Sequence, residues 1–172
     1  MYQPQSIQVE IALKAIIYYL ETKKYLKVEI KDLLSKPAAC FVTLRNADKN
    51  LRGCIGTLSP VRENLQEEII RNAVSAAMHD SRFVPLSKSE VETLSLSVEV
   101  LNVPELIESA EFLNPRKYGL IIEDRFGRHG VLLPGIEGVD TVAEQIRIVK
   151  RKAGINNDEN LIFQRFTTTK FR

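Results

Sequence analysis

Between residues 7 and 20 the apolar positions recur at helical spacing. Ile7, Ile11, Ala15 and Tyr19 form one stripe, Ala12, Ile16 and Leu20 widen it, and Glu10, Lys14 and Lys24 are left for water. Ser6 stands where an N-cap belongs. After Pro37, the runs Ala38 to Arg45 and Leu51 to Leu58 are short and β-prone, and the turn-rich Asn46-Ala47-Asp48-Lys49-Asn50 between them predicts an antiparallel hairpin. A second helix is predicted from Asn64 to Met78, with Leu65, Ile69, Ala73 and Ala76 on its apolar side; the small Ala73, Ala76 and Ala77 permit close approach of another element. It should end near His79-Asp80, because Pro85 disfavours further helix and Asp80-Ser81-Arg82-Phe83 reads as an ordered connection.

Farther on, Ser87-Lys88-Ser89-Glu90 has capping-box spacing for a short helical turn. Leu94, Leu96, Val98 and Val100 then alternate with Ser95, Ser97 and Glu99, as in a strand with one face in the core. Pro104 ends that strand, and Ser109 to Leu113 reads as a short helix. Gly119 to Glu123 and Val131 to Leu133 flank a second turn and make a second hairpin. A third long helix is capped by Asp140 or Thr141, carries Val142, Ile146 and Val149 inward, and stops at Gly154. Asn156-Asn157-Asp158 is turn chemistry, and Leu161 to Thr167 returns as a final strand. The order α, β, β, α, β, β, β, α, β predicts an α+β fold with a mixed or mainly antiparallel sheet and flanking helices.

Composition narrows this further. With 172 residues, 44% of them hydrophobic and 27% charged, the chain has the apolar content for a real core, which excludes disorder, collagen-like repetition and a disulfide mini-scaffold. Its length suits one domain, with room for two lobes. A net charge of +2 supplies no broad field for nucleic acid or an anionic membrane. Two cysteines and two histidines are too few for most zinc motifs, and neither a GxGxxG nor a P-loop sequence is present, so no metal or cofactor is expected. The first residues lack the regions of a signal peptide, and the longest apolar run, Ala15 to Leu20, is far short of a membrane span. The expectation is a cytoplasmic protein with reduced thiols.

The distinctive segment is Leu51-Arg52-Gly53-Cys54-Ile55-Gly56, because two glycines inside a strand sacrifice packing and mark a bulge or a close approach. On extended backbone Arg52, Cys54 and Gly56 share a side, so a guanidinium beside the thiol would favour a nucleophilic thiolate. The plainer alternative is that Cys54 is a small apolar residue, Arg52 pairs with a carboxylate, and the glycines shape the hairpin. His79 is a candidate base at the end of the alanine-rich helix; its plainer role is to complement the helix dipole.

Leu51-Arg52-Gly53-Cys54-Ile55-Gly56, followed by Ala73-Val74-Ser75-Ala76-Ala77-Met78-His79-Asp80-Ser81-Arg82-Phe83, resembles the signature of the AMMECR domain family. The likeness continues through Val98 to Leu101, Gly119-Leu120, Gly130 to Pro134 and Lys152-Ala153-Gly154. The resemblance implies a compact α+β domain with a larger and a smaller lobe, a groove near the six-residue motif, and association with Memo-like and radical-SAM proteins in a modification pathway. Arg52, Gly53, Cys54 and Gly56 match the first block, and Asp80, Arg82 and Phe83 the second. The chain departs from the family pattern at Tyr118, where many relatives have histidine, at Gly135, where glutamine is usual, and at Lys150, in place of a frequent cysteine.

Two functions follow as expectations. In the first, Cys54 is a nucleophile or covalent acceptor in an enzyme component, Arg52 and Arg82 hold an anionic group of a small substrate, and Asp80 orients one of them or acts as acid or base. In the second, the domain is a noncatalytic binding or adaptor module that recognises a peptide, nucleic acid or partner protein beside Gly53 and Gly56, and Asp80 and Arg82 form a bridge tying loop to hairpin with Phe83 as its anchor. Arg147, Lys150 and Arg151 make a basic helix face better read as solvated than as a nucleic-acid platform, and the odd spacing of Phe163 and Phe166 supports no stacking surface.

Overall fold

A computed structural model describes residues 3–156 and 160–172. Asn157 and Asp158 of the expected turn lie outside the described residues. Among the described residues there are three α-helices, α1 (Ile7–Thr22), α2 (Leu65–Met78) and α3 (Val142–Ala153); Asp32–Leu34, Lys88–Thr93 and Ala110–Phe112 are short 3-10 turns. The strands are β1 (Cys40–Arg45), β2 (Leu51–Gly56), β3 (Ser95–Leu101), β4 (Glu105–Ile107), β5 (Gly119–Glu123), β6 (His129–Leu132), β7 (Ile162–Phe166) and β8 (Thr168–Phe171). They form two antiparallel four-stranded sheets, ordered β2-β1-β3-β8 and β4-β7-β5-β6, so the fold is α+β. The chain divides into two compact units, one comprising residues up to Val100 together with Thr169–Arg172, the other Leu101–Thr168.

In the first unit the Ser6 hydroxyl accepts from the Val9 amide and starts α1, and the left-handed Lys23 ends it. Asn64 caps α2 in the same way through the Glu67 amide. Strand alternation then sorts β1 by face. Cys40, Val42 and Leu44 are wholly buried in a core shared with Val9, Ile16, Ile69, Ala73 and Val98, while Phe41, Thr43 and Arg45 take the opposite side. The β1–β2 register pairs Leu44 with Gly53 and Thr43 with Cys54, which puts Gly53 inward and Cys54 outward.

Gly53 is where helix and sheet meet. A Cβ placed there would lie 2.2 Å from the carbonyl oxygen of Ala76, so the glycine and the small α2 residues Ala73, Ala76 and Ala77 together let the helix backbone seat directly on β2. Gly56 is covered differently, by the ring of its cross-strand partner Phe41, 2.3 Å from the same imagined atom.

The second unit repeats the device. Gly130 on β6 lies under α3, with the Val149 carbonyl oxygen 2.4 Å from its imagined Cβ. Leu120, Ile122, Leu132, Val139, Val149 and Ile155 form the core of this unit. Thr141, one of the two expected caps, accepts from the Glu144 amide.

Two strands depart from the sequence expectation. β4 follows Pro104 directly and is too short to show alternation; it is held by pairing with β7, where Arg165 Nε donates to Glu105 at 2.6 Å. The single strand expected over Leu161 to Thr167 is two: β7 joins the second sheet, and β8 continues into the first. Thr167, Thr168 and Thr169 are all good strand formers, and no glycine or proline marks the change of sheet. Among the described residues no helix is long and apolar enough to cross a membrane.

If Gly53 is a helix seat, Gly53→Ala forces α2 off β2 and costs about 2–3 kcal/mol in urea unfolding. Gly127→Ala, at a left-handed turn residue with nothing within 4 Å of the added carbon, costs only the backbone strain of about 1 kcal/mol.

Candidate functional site

β2 is an edge strand, and the β1–β2 register leaves the peptide groups of Cys54 facing away from the sheet. Both are taken up by the connection that follows α2. The Cys54 amide donates to Asp80 Oδ2 at 2.9 Å, and Arg82 Nη2 donates to the Cys54 carbonyl at 3.2 Å. Arg82 also forks onto Asp80, with Nε 2.9 Å from Oδ1 and Nη2 2.7 Å from Oδ2, and its own amide donates to Oδ1 at 3.2 Å. An acid–guanidinium pair thus stands where a neighbouring strand would.

Asp80 is buried, and its two oxygens receive these four hydrogen bonds. The Arg82 guanidinium holds its carboxyl far below the usual carboxylate range, against the opposing effect of burial. A carboxylate so saturated and so firmly ionised has no lone pair left for a substrate proton. Of the two roles expected for Asp80, this geometry suits orienting Arg82, not acid–base work.

Arg52 is engaged elsewhere. Its Nε lies 2.7 Å and its Nη2 3.3 Å from the two carboxylate oxygens of Glu90, which also accepts from the amide and hydroxyl of Ser87 in the expected capping box. Hydrogen bonding to Arg52, in a partly exposed pair, lowers the Glu90 pKa from 4.5 to about 2. The third nitrogen of Arg52, Nη1, is buried without a partner. Phe83 links the two guanidinium groups, its ring centroid 5.9 Å from Cζ of Arg52 and 5.4 Å from that of Arg82. His79 is the exposed C-cap of α2, whose backbone amide closes the helix on Ser75; the contacts of Cys54 run to Asp80, Arg82 and Thr43, not to His79.

The two thiols differ. Cys40 is fully buried, its carbonyl accepting from Asn72, and burial pushes its thiol up to about 12. Cys54 is half-buried on the outer face, its sulfur 3.3 Å from the hydroxyl of its cross-strand partner Thr43. The opposed faces of Cys40 and Cys54 rule out a disulfide between them, and both are free. Among the described residues no group of three or more His, Cys, Asp or Glu side chains is placed to hold a metal ion.

Sequence reasoning did not find Glu90 as the partner of Arg52, nor Thr43 beside Cys54. It also missed Glu68, a wholly buried carboxylate that accepts from the Thr57 hydroxyl and the Val61 and Arg62 amides and so shapes the loop leaving β2. A regular register across the five-residue turn sets Thr43 opposite Gly53; the shift between Leu44 and Arg45 moves it opposite Cys54. Glu90 was already accounted for by its capping box. On α3, Arg147 forks onto Glu144, at 3.0 and 2.6 Å.

This architecture is shared. The AMMECR1 family model matches residues 9–171, across both units, and the chain belongs to that family. A Thermotoga maritima protein is 41% identical over 168 residues, covering 95% of this chain and 96% of its own. A Clostridium acetobutylicum protein is 39% identical and covers 99% of this chain, which spans only 36% of that longer relative. The crystal structure of uncharacterized protein PH0010 from Pyrococcus horikoshii superposes with a TM-score of 0.85 at 32% identity, over 95% of this chain and 88% of that one.

Removing the carboxylate should expose its worth. Asp80→Ala strands the outward Cys54 amide and unpairs Arg82, and is expected to cost about 2–3 kcal/mol in denaturant unfolding, against about 1 for Asp80→Asn, which can still accept from that amide. The pH dependence has a definite sign. Asp80 and Glu90 both titrate lower in the folded chain than in the unfolded one, so their stabilisation is complete above about 4.5 and is lost as pH falls toward 2. Acid unfolding of the Asp80→Asn/Glu90→Gln variant, followed by circular dichroism, should be flatter over that window.

Proposed function

We propose that this chain is a cysteine-centred enzyme component that acts on a small anionic substrate, with Cys54 as the reacting group. The observation that carries this reading is the contrast between the thiols: Cys40 is sealed in the core, while Cys54 is half-buried on the outer face of the first sheet beside the Thr43 hydroxyl. Asp80 and Arg82 grip the peptide on both sides of that thiol, which would hold the sulfur in one place without taking part in chemistry. Memo-like and radical-SAM proteins are the partners that the family resemblance implies, and a modification pathway shared with them is the setting we propose. A chain of which this domain spans about a third, as in the Clostridium acetobutylicum relative, suits a component that works beside others.

A second reading has its own support. Arg52 and Arg82, the groups expected to hold an anion, are already paired with Glu90 and Asp80, which favours a noncatalytic binding or adaptor module whose two signature blocks serve to lock the loop to the hairpin.

Alkylation separates the two. In the folded Cys40→Ser protein, iodoacetamide should modify Cys54 rapidly, whereas Cys40 in Cys54→Ser should react only on unfolding. Labelling of Cys54 as slow as that of Cys40 would end the nucleophile reading and leave the adaptor.

A further inference from the structure

The outer face of the first sheet carries a feature that neither signature block includes. Beside the Cys54–Thr43 pair lies a cleft of about 430 Å³ lined by Thr43, Arg45, Ser95 and Ser97 of the sheet, together with Lys49, Lys170 and Arg172. We propose that this cleft binds the phosphate group of a small phosphorylated ligand. The proposal deepens the reading of the Cys54 face as a substrate site and rests on it for the use of the ligand, though not for its binding.

Four cationic side chains converge there from separate stretches of chain: the end of β1, the β1–β2 turn, and the last strand with its final residue. No Asp or Glu is among the residues lining the cleft, and the Glu99 carboxylate beside it already pairs with Lys170. Its polar groups are fixed by the fold. The register sets Thr43 opposite Ser97 and Arg45 opposite Ser95, so two hydroxyl-bearing strands present their side chains in line. Arg45 Nη1 donates to the Lys49 carbonyl at 2.9 Å, which anchors the guanidinium over the turn. Lys170 is steadied by Glu99 at 2.6 Å, and the Gln5 amide donates to the Arg172 carbonyl at 3.0 Å, which holds Arg172 against the cleft.

Crowding like charges costs self-repulsion, and the whole chain carries a net charge of only +2, so this concentration is local. A phosphate dianion relieves it, since its oxygens accept from guanidinium, ammonium and hydroxyl together. The volume lies within the range of about 300–1,000 Å³ usual for small-molecule pockets, whereas the hydroxyl and cationic lining is unsuited to an apolar ligand. Thr43 belongs both to the cleft and to the thiol, its hydroxyl 3.3 Å from the Cys54 sulfur, so a ligand anchored by its phosphate would extend toward Cys54 across one strand. The anion-holding role expected of Arg52 and Arg82, which are occupied by Glu90 and Asp80, falls to Arg45, Lys49 and Arg172, with Lys170 shared with Glu99.

Pyrophosphate titrated by calorimetry into the full chain tests this. Saturable binding is expected, weakened about ten-fold or more in Lys49→Gln/Arg172→Gln, exposed side chains whose loss leaves the core intact, and changed less than two-fold in the control Lys24→Gln. Cys54→Ser should bind as the unaltered chain does. Absence of saturable binding at millimolar pyrophosphate, or equal weakening in the control, overturns the proposal. So does an oligonucleotide whose affinity rises with length and is lost in the same double variant, since that assigns the cleft to nucleic acid. If pyrophosphate binds as expected while Cys54 alkylates slowly with and without it, the cleft stands and the nucleophile reading fails.

Discussion

The peptide of Cys54 is gripped from two sides, its N–H by the Asp80 carboxylate and its C=O by the Arg82 guanidinium that the same carboxylate orients. An edge strand leaves such groups unpaired, and an unpaired, partly buried peptide is both costly and open to pairing with another chain. Here an ion pair takes the place of a strand. Because Asp80 directly follows the C-cap of α2, the same contacts tie the end of that helix to β2, whose Gly53 is already pressed against the Ala76 carbonyl. The two sequence blocks are therefore two halves of one clasp, and Phe83 carries it onward to Arg52 and Glu90.

This arrangement divides the labour of the residues. Asp80 pairs with Arg82 and Arg52 with Glu90, and the first pair positions the strand. What remains open toward the outer face is the thiol, the Thr43 hydroxyl and the basic cleft beside them. Sheet alternation produces the division: on β1 the odd residues Phe41, Thr43 and Arg45 face away from the core that Cys40, Val42 and Leu44 complete. The same alternation buries one cysteine in the core and leaves the other half-buried on the outer face.

Much of this is legible in the sequence because it is local. Ser6, Asn64, Thr141 and Gly154 bound their helices as capping chemistry requires, and the glycines of the six-residue block mark a close approach. The α+β class follows from element order, and the family from the two blocks. What sequence could not supply is long-range. Glu90 reaches Arg52 across 38 positions, and the cleft gathers Lys49, Ser97 and Arg172 from three distant stretches. The passage from β7 to β8 lacks a glycine or proline to announce it, and β4 exists only because β7 is there to pair with it. Strand alternation sets Arg52 on the side of the thiol; Glu90, from a separate turn, holds the guanidinium, and alternation says nothing of it.

The clasp is tested most directly by amide hydrogen exchange at Cys54. Its N–H points away from the sheet, as does that of Gly56 two residues on, yet it alone of the two meets a carboxylate. The Cys54 amide should exchange far more slowly than that of Gly56, and lose this protection in Asp80→Ala while the amides of β1 keep theirs. Equal exchange at Cys54 and Gly56 in the unaltered protein would contradict it.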